Sequence, residues 1–176
     1  MSDIKQLISI IVPVFNESES IGFLLDEVIN VMSFHKYNFE LIVVNDGSKD
    51  NTYQVLKKLT HNIKELSVIS LRKNYGQTAL IAAGFDNSKG NIIITLDGDL
   101  QNDPNDIPTL ISEINDGYDL ICGWRFDRKD KLINRKIPSK IANKLIAHVT
   151  GLKLHDYGCS LKAFKKEIID DIKLYG

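Results

Sequence analysis

The 176-residue sequence is sparing with the residues that usually announce a site. It has two cysteines, four prolines and one tryptophan. Cys122 and Cys159 show no CxxC spacing and no neighbouring histidine cluster, which excludes a thiol-based metal or redox motif. Both lie among apolar or small residues and read as buried, reduced thiols, as a reducing compartment favours. Charge of one sign is lacking too. The 22 basic and 23 acidic residues leave a net charge of -1, which gives no global reason to expect nucleic acid as a partner. No apolar run approaches the ~18 residues needed to span a bilayer, and MSDIKQ lacks a signal-peptide pattern. The expectation is a chain that does not itself cross a membrane, although a neighbouring segment of a longer parent could. GxGxxG does not follow the first strand, and GxxxxGK[ST] occurs nowhere, so the two best-known glycine loops for phosphate are excluded. There is no internal repeat and no low-complexity linker.

Strand and helix, by contrast, alternate along the whole chain. Leu7 to Val14, Phe39 to Val44, Leu66 to Leu71, Asn91 to Leu96 and Tyr118 to Gly123 are short, apolar, β-rich runs bounded by turn residues. Between them lie helical patterns. Ile21, Leu24, Leu25, Val28, Ile29 and Met32 repeat at helical spacing up to Ser33, with Ser18 or Ser20 as cap. Asp50 or Asn51 can cap a helix whose inner face is Val55, Leu56 and Leu59. Gly76 to Phe85 is helical and rich in small residues. Asp103-Pro104 opens a helix with the stripe Ile107, Leu110, Ile111 and Ile114. Asn134 to Val149 predicts one or two helices, Ser160 to Phe164 a strand and Lys165 to Ile172 a helix. The alternation predicts one α/β domain with a mostly parallel sheet and helices on both faces.

The strand ends are acidic and amide-rich. Asn16-Glu17 comes after the first strand, Asp46 after the second, and Asp97 and Asp99 after the fourth. In an open parallel sheet such positions converge on one edge, where ligands bind. Two acids one residue apart can meet one hard cation and leave room for phosphate oxygens. An acid at Asp46 can accept from base or ribose donors. The combination suggests a nucleoside diphosphate held through a cation, because no glycine loop cradles it. Asp-Gly after a strand is also simply a turn, and Asn45-Asp46-Gly47-Ser48 alone reads equally as a turn or a ligand site. From Arg125 to Lys144 eight basic residues meet only two acids, Asp127 and Asp130. Such a run is usually a solvated surface, but arginine also gives bidentate recognition of phosphate.

The stretches IIVPVFNESESI, ELIVVNDGSKDNT, LRKNYGQTALIAAGF, IITLDGDLQNDP, ICGWRFDR, RKIPSKIANKLI and HDYGCSLKAF carry a resemblance over nearly the whole chain. In order and content they resemble the GT-A glycosyltransferases of family 2, and within it the polyprenyl-phosphate, dolichol-phosphate mannose synthase-like group. The resemblance implies a GT-A, Rossmann-like catalytic domain over residues 1–176, stopping short of the family's C-terminal end and membrane segment. It implies that Pro13, Asn16 and Glu17 touch the nucleoside, with Asp46 at the base. Asp97 contacts the nucleotide as well, and Asp97, Asp99 and Gln101 hold Mg2+ or Mn2+ against the diphosphate. Arg125 and Arg135, with Ser139 nearby, bind the acceptor phosphate. Asp156 is the acid facing sugar and acceptor, and Asp99 is its catalytic partner on the metal side. Lys129, Lys131 and Lys136 suit lipid head groups at the cytoplasmic membrane surface. The implied partners are a nucleotide-sugar donor, UDP-linked by preference, and a polyprenyl phosphate such as undecaprenyl phosphate. A homo-oligomer stays open. His155 reads as a hydrogen-bonded structural histidine, and Trp124 as either a packing residue or a guide for sugar or lipid.

Two rival classes compete with this reading. A haloacid dehalogenase-type phosphatase also carries DxD after a strand, but there the motif opens the first strand and Thr or Val comes next. Here three strands precede the motif and Leu100 comes after Asp99. The other rival is a non-catalytic nucleotide- or lipid-phosphate-binding module.

Overall fold

A computed structural model describes residues 6–124 and 159–170. Its centre is a six-stranded sheet in the order β3-β2-β1-β4-β6-β5. The strands are β1 (Leu7–Val14), β2 (Asn38–Asn45), β3 (Leu66–Ser70), β4 (Ile92–Thr95), β5 (Leu120–Cys122) and β6 (Lys162–Lys165). The helices are α1 (Ile21–Phe34), α2 (Thr52–Leu59), α3 (Gln77–Asn87), α4 (Ile107–Asn115) and α5 (Lys166–Asp170). β1 pairs in parallel with both β2 and β4, and β2 with β3. β6 enters between β4 and β5 and runs antiparallel to each. The sheet is therefore mostly parallel, as the alternation predicts, with one reversed strand.

Side-chain alternation along β1 sorts the helices. Ile8, Ile10, Val12 and Val14 share a core with Leu24, Leu25 and Val28 of α1, Leu56 of α2 and Leu110, Ile111 and Ile114 of α4. Ile11, with Ile42, Val44 and Ile93, packs on the opposite face against Leu80 and Phe85 of α3 and Ile169 of α5. Helices cover both faces, and the inner strands are apolar on both sides because neither meets water. Each fully buried Ile or Leu there contributes about 1.5–3 kcal/mol.

α3 lies close to the sheet because Gly84 faces Ile11. A Cβ on Gly84 would come within 2.4 Å of Ile11 Cγ2. Gly84→Ala gains up to about 1 kcal/mol of helix propensity. It also overpacks a fully buried strand residue, which costs about 1–3 kcal/mol. The clash is the larger effect, so the urea midpoint of Gly84→Ala is expected to fall. An unchanged or raised midpoint would show that Ile11 gives way freely.

Several boundaries differ from the sequence reading, each for a local reason. The segment opened by Pro104 begins as a 3-10 turn, Pro104–Asp106, before α4 starts at Ile107. Asp103 caps it by accepting from the Asn105 N–H. Pro108 falls in the first turn of α4, where its missing N–H costs nothing. β5 starts at Leu120, not Tyr118, because the Tyr118 N–H still returns to Glu113 O at the exit of α4. Ser20 stands at the N-cap position of α1, yet its hydroxyl donates to the Glu17 side chain and does not cap the helix. Cys159 is buried as expected, but Cys122 is half-buried. Burial pushes the Cys122 thiol up, against the opposing charge of Lys162. Among the described residues, no helix is long and apolar enough to cross a membrane.

Candidate functional site

The register brings the acidic strand ends together. Val14 pairs with Asn45, Asn45 with Ser70, and Ile11 with Thr95. β1 therefore runs past the end of β4, and residues 97–99 lie alongside Pro13 and Val14. Gly98 makes this approach feasible: a Cβ there would meet Val14 Cγ1 at 2.7 Å and Pro13 O at 3.4 Å. The glycine between the two acids is thus a packing requirement. Because β2 and β4 flank β1 and the chain winds away from it in both directions, this edge is the switch point of the sheet.

A cleft of about 290 Å³ opens there. It is lined by Pro13, Val14, Phe15 and Glu17 after β1, Asp46 after β2, Asn74, Gly76, Gln77 and Leu80 at the start of α3, and Asp97, Gly98 and Asp99 after β4. Four of the residues expected at the nucleotide, Pro13, Glu17, Asp46 and Asp97, share this cleft with Asp99. Asn16 and Gln101 are not among its lining residues. Asn16 has φ +58°. Its side-chain oxygen accepts from the Lys49 N–H at 2.8 Å, and its own N–H donates to Ser48 Oγ at 2.9 Å. Gln101 folds back onto Asp99, donating from its backbone N–H to Oδ1 at 3.1 Å and from Nε2 to Oδ2 at 2.7 Å. Arg125, Arg135, Ser139 and Asp156 lie outside the described residues, as do the helices predicted over 134–149 and the basic run after Trp124.

Asp46 is 2% exposed. Its Oδ1 accepts from the Tyr75 N–H at 2.7 Å and its Oδ2 from the Gly76 N–H at 2.9 Å. The carboxylate thus pins the turn that enters α3 to the end of β2. Lys73 Nζ sits 5.0 Å from the centre of the Tyr75 ring on the same turn. Sequence reasoning placed Asp46 at this edge but missed its two amide partners, about thirty residues away. It also missed the bond from Gln77 Nε2 to Asp97 Oδ1, 3.1 Å. In sequence, Tyr75-Gly76-Gln77 reads as a helix entry, and the family resemblance puts that stretch near the nucleotide without pointing to Asp97.

A second clamp joins the loops after β1 and β2. The Asp50 carboxylate accepts from the Thr52 N–H and hydroxyl and from the Ser18 N–H, while the Glu17 N–H donates to Thr52 Oγ1 at 2.8 Å. Burial acts to raise the Asp50 carboxyl, but the hydrogen bonds from Thr52 and Ser18 outweigh it and hold it at about 2. Its folded value lies below the unfolded value of 3.8, so its contribution is present above about pH 4 and is lost as pH falls towards 2. Asp50→Asn is expected to lower stability at pH 7 by no more than about 1 kcal/mol, since solvent screens a surface carboxylate. The difference from the parent protein should vanish in urea titrations between about pH 4 and 2. A gap that persists undiminished at the lower pH would show that the ionised form is not what matters.

Behind the acidic loop lies a buried polar tie. Asn102, 7% exposed, donates from Nδ2 to Ser160 Oγ at 2.9 Å, and the Thr95 hydroxyl donates to Ser160 O at 2.6 Å. These bonds fasten the segment entering β6 to the loop that carries Asp97 and Asp99.

Among the described residues, no cluster of three or more His, Cys, Asp or Glu could hold a metal by protein ligands alone. Asp97 and Asp99 supply two carboxylates at the cleft. This set fits a hard divalent cation that completes its shell with ligand phosphate and water, as Mg2+ does at substrate phosphates.

Comparison with known proteins identifies the family and the fold. The chain is 48% identical over 171 residues to the dodecaprenyl-phosphate galacturonate synthase of Rhizobium johnstonii, covering 96% of this chain and 51% of that protein. It is 42% identical over 165 residues to the undecaprenyl-phosphate 4-deoxy-4-formamido-L-arabinose transferase of Proteus mirabilis, covering 93% and 50%. The chain thus spans about half the length of the curated relatives it matches. Among solved structures, glucosyl-3-phosphoglycerate synthase from Mycobacterium tuberculosis, in complex with Mn2+, UDP and phosphoglyceric acid, superposes with a TM-score of 0.71. The identity is 19%, and the match covers 93% of this chain and 57% of that one. That likeness establishes a shared GT-A-like fold, and the relative holds Mn2+. The model of Glycosyl transferase family 2 matches residues 9–173, so the chain belongs to that family.

Proposed function

We propose that the chain carries the donor half of an inverting glycosyltransferase. It moves a sugar from a nucleoside-diphosphate sugar, UDP-linked by preference, to a polyprenyl phosphate such as undecaprenyl phosphate. The observation that carries this reading is the pairing of Asp97 and Asp99 with Asp46 and Glu17 around one cleft at the sheet's switch point. The names of the two polyprenyl-phosphate relatives support the acceptor class. That acceptor places the work at the cytoplasmic face of a membrane.

Pro13 and Glu17, together with the turn that Asp46 holds, form the nucleoside side. Asn16 acts on it through the loop it clips to Lys49. Asp97 and Asp99 would hold Mg2+ or Mn2+, and Gln101 keeps Asp99 in place. When bound, the cation neutralises charge on the leaving diphosphate. An acceptor phosphate oxygen attacks the anomeric carbon as the bond from that carbon to the diphosphate oxygen breaks. The bonding pair leaves with the nucleoside diphosphate from the opposite face. A phosphate monoester has a second pKa of about 6, so it is largely a dianion at neutral pH and needs no strong base. Arg125 and Arg135, with Ser139, bind that phosphate. Asp156 orients the acceptor or steadies positive charge on the sugar.

The test is a panel of UDP- and GDP-sugars with Mg2+ or Mn2+ and undecaprenyl phosphate. It is run on this chain and on a version of its relatives' length, tracking glycolipid formation and donor binding by calorimetry. Transfer from one donor supports the reading. Donor binding without turnover in the longer version would point to a non-catalytic module, and absence of any donor binding would overturn the proposal.

A further inference from the structure

We infer that Gln77 is a positioning residue for Asp97, setting which carboxylate oxygen is offered to a cation and diphosphate in the cleft. This rests on the functional reading above. Gln77 is the first residue of α3, and its entry turn is fixed because Asp46 grips the amides of Tyr75 and Gly76. The backbone that launches the Gln77 side chain is therefore anchored to the sheet. From there Nε2 donates to Asp97 Oδ1 at 3.1 Å across the cleft that both residues line.

A carboxylate has two near-equivalent oxygens and rotates between them unless something holds it. Asp99 has its own keeper in Gln101, whose backbone N–H and side-chain amide occupy it from its own loop. Asp97 accepts an amide from a different element, which ties its Oδ1 to where α3 stands relative to β4. A neutral amide suits this task. A lysine at the same place would compete with the cation, and an acid could not donate. Partners behind a metal ligand that fix its orientation are typically worth about 10–100-fold in metal affinity or activity.

Gln77 is exposed, so its loss should leave stability nearly unchanged. Two variants separate the donor from the bulk: Gln77→Ala removes both, and Gln77→Met keeps the length without an N–H. UDP binding with and without Mn2+ is measured by calorimetry, beside the melting temperature. Both variants are expected to lose about 10–100-fold in Mn2+-dependent UDP affinity. Metal-free binding and melting temperature should stay at the parent values. Parent-like Mn2+-dependent affinity in Gln77→Met would overturn the role. If the parent protein itself binds neither UDP nor GDP with Mn2+, the functional reading fails first and this inference falls with it.

Discussion

Asp99→Asn is expected to cut sugar transfer by about 10³-fold while leaving the fold intact. The size comes from charge. Two carboxylates give a divalent cation two anionic ligands in the cleft; the amide leaves one. A cation held by these acids would neutralise charge on the departing diphosphate, so in the proposed transfer the loss should fall mainly on the transfer step and on metal-dependent donor binding. The fold has no stake in that charge. Asp99 is exposed, and among the described residues its hydrogen bonds come from the two donors of Gln101. An asparagine still accepts from the Gln101 N–H, and the Gln101 amide can turn to meet the new donor. The melting temperature should therefore stay within a few degrees. The loss should exceed that from Gln77 variants, because Asp99 would touch the cation and Gln77 acts through Asp97. Full transfer by Asp99→Asn in the presence of Mg2+ or Mn2+ would remove the metal assignment.

The acids themselves were legible in the sequence because burial leaves a local mark. Ile92, Ile93, Ile94 and Leu96 can only be a strand between turn residues, and the residues just past the end of such a strand face the ligand edge. The same logic found β1, β2 and β3 and both helical faces. The features that escaped were non-local. β6 slips between β4 and β5 through contacts such as Thr95 to Ser160, which are 65 positions apart. No short-range pattern marks which neighbour a lone strand will choose. Asn102 reads in sequence as one more turn residue, yet it is buried because Ser160 comes to meet it. The glycine of Asp97-Gly98-Asp99 looks like turn chemistry, while the structure ties it to the bulk of Val14. In each case the residue type was visible and the partner was not.

Asp46 makes that difference measurable. Read from sequence, it is an acceptor for a base or ribose, and its loss would weaken only nucleotide binding. Its geometry predicts a cost without any ligand. Both oxygens take backbone N–H groups from Tyr75 and Gly76, and the residue is nearly fully buried. Hydrogen bonds to a charged group are worth about 1.5–3 kcal/mol each. Asp46→Asn turns one oxygen into a donor that faces another donor. One bond is lost outright, a backbone N–H is left without its partner, and the surviving bond loses its charge. The sum is about 2–4 kcal/mol, and at about 2–4 °C per kcal/mol for a chain of this size the melting temperature should fall by roughly 10 °C. Loosening the turn should also free Gln77 from its place, so Mn2+-dependent UDP binding should weaken even where Asp46 never touches the base. An unchanged melting temperature in the ligand-free protein, with nucleotide affinity alone reduced, would mean that the carboxylate serves the base directly and the turn holds without it.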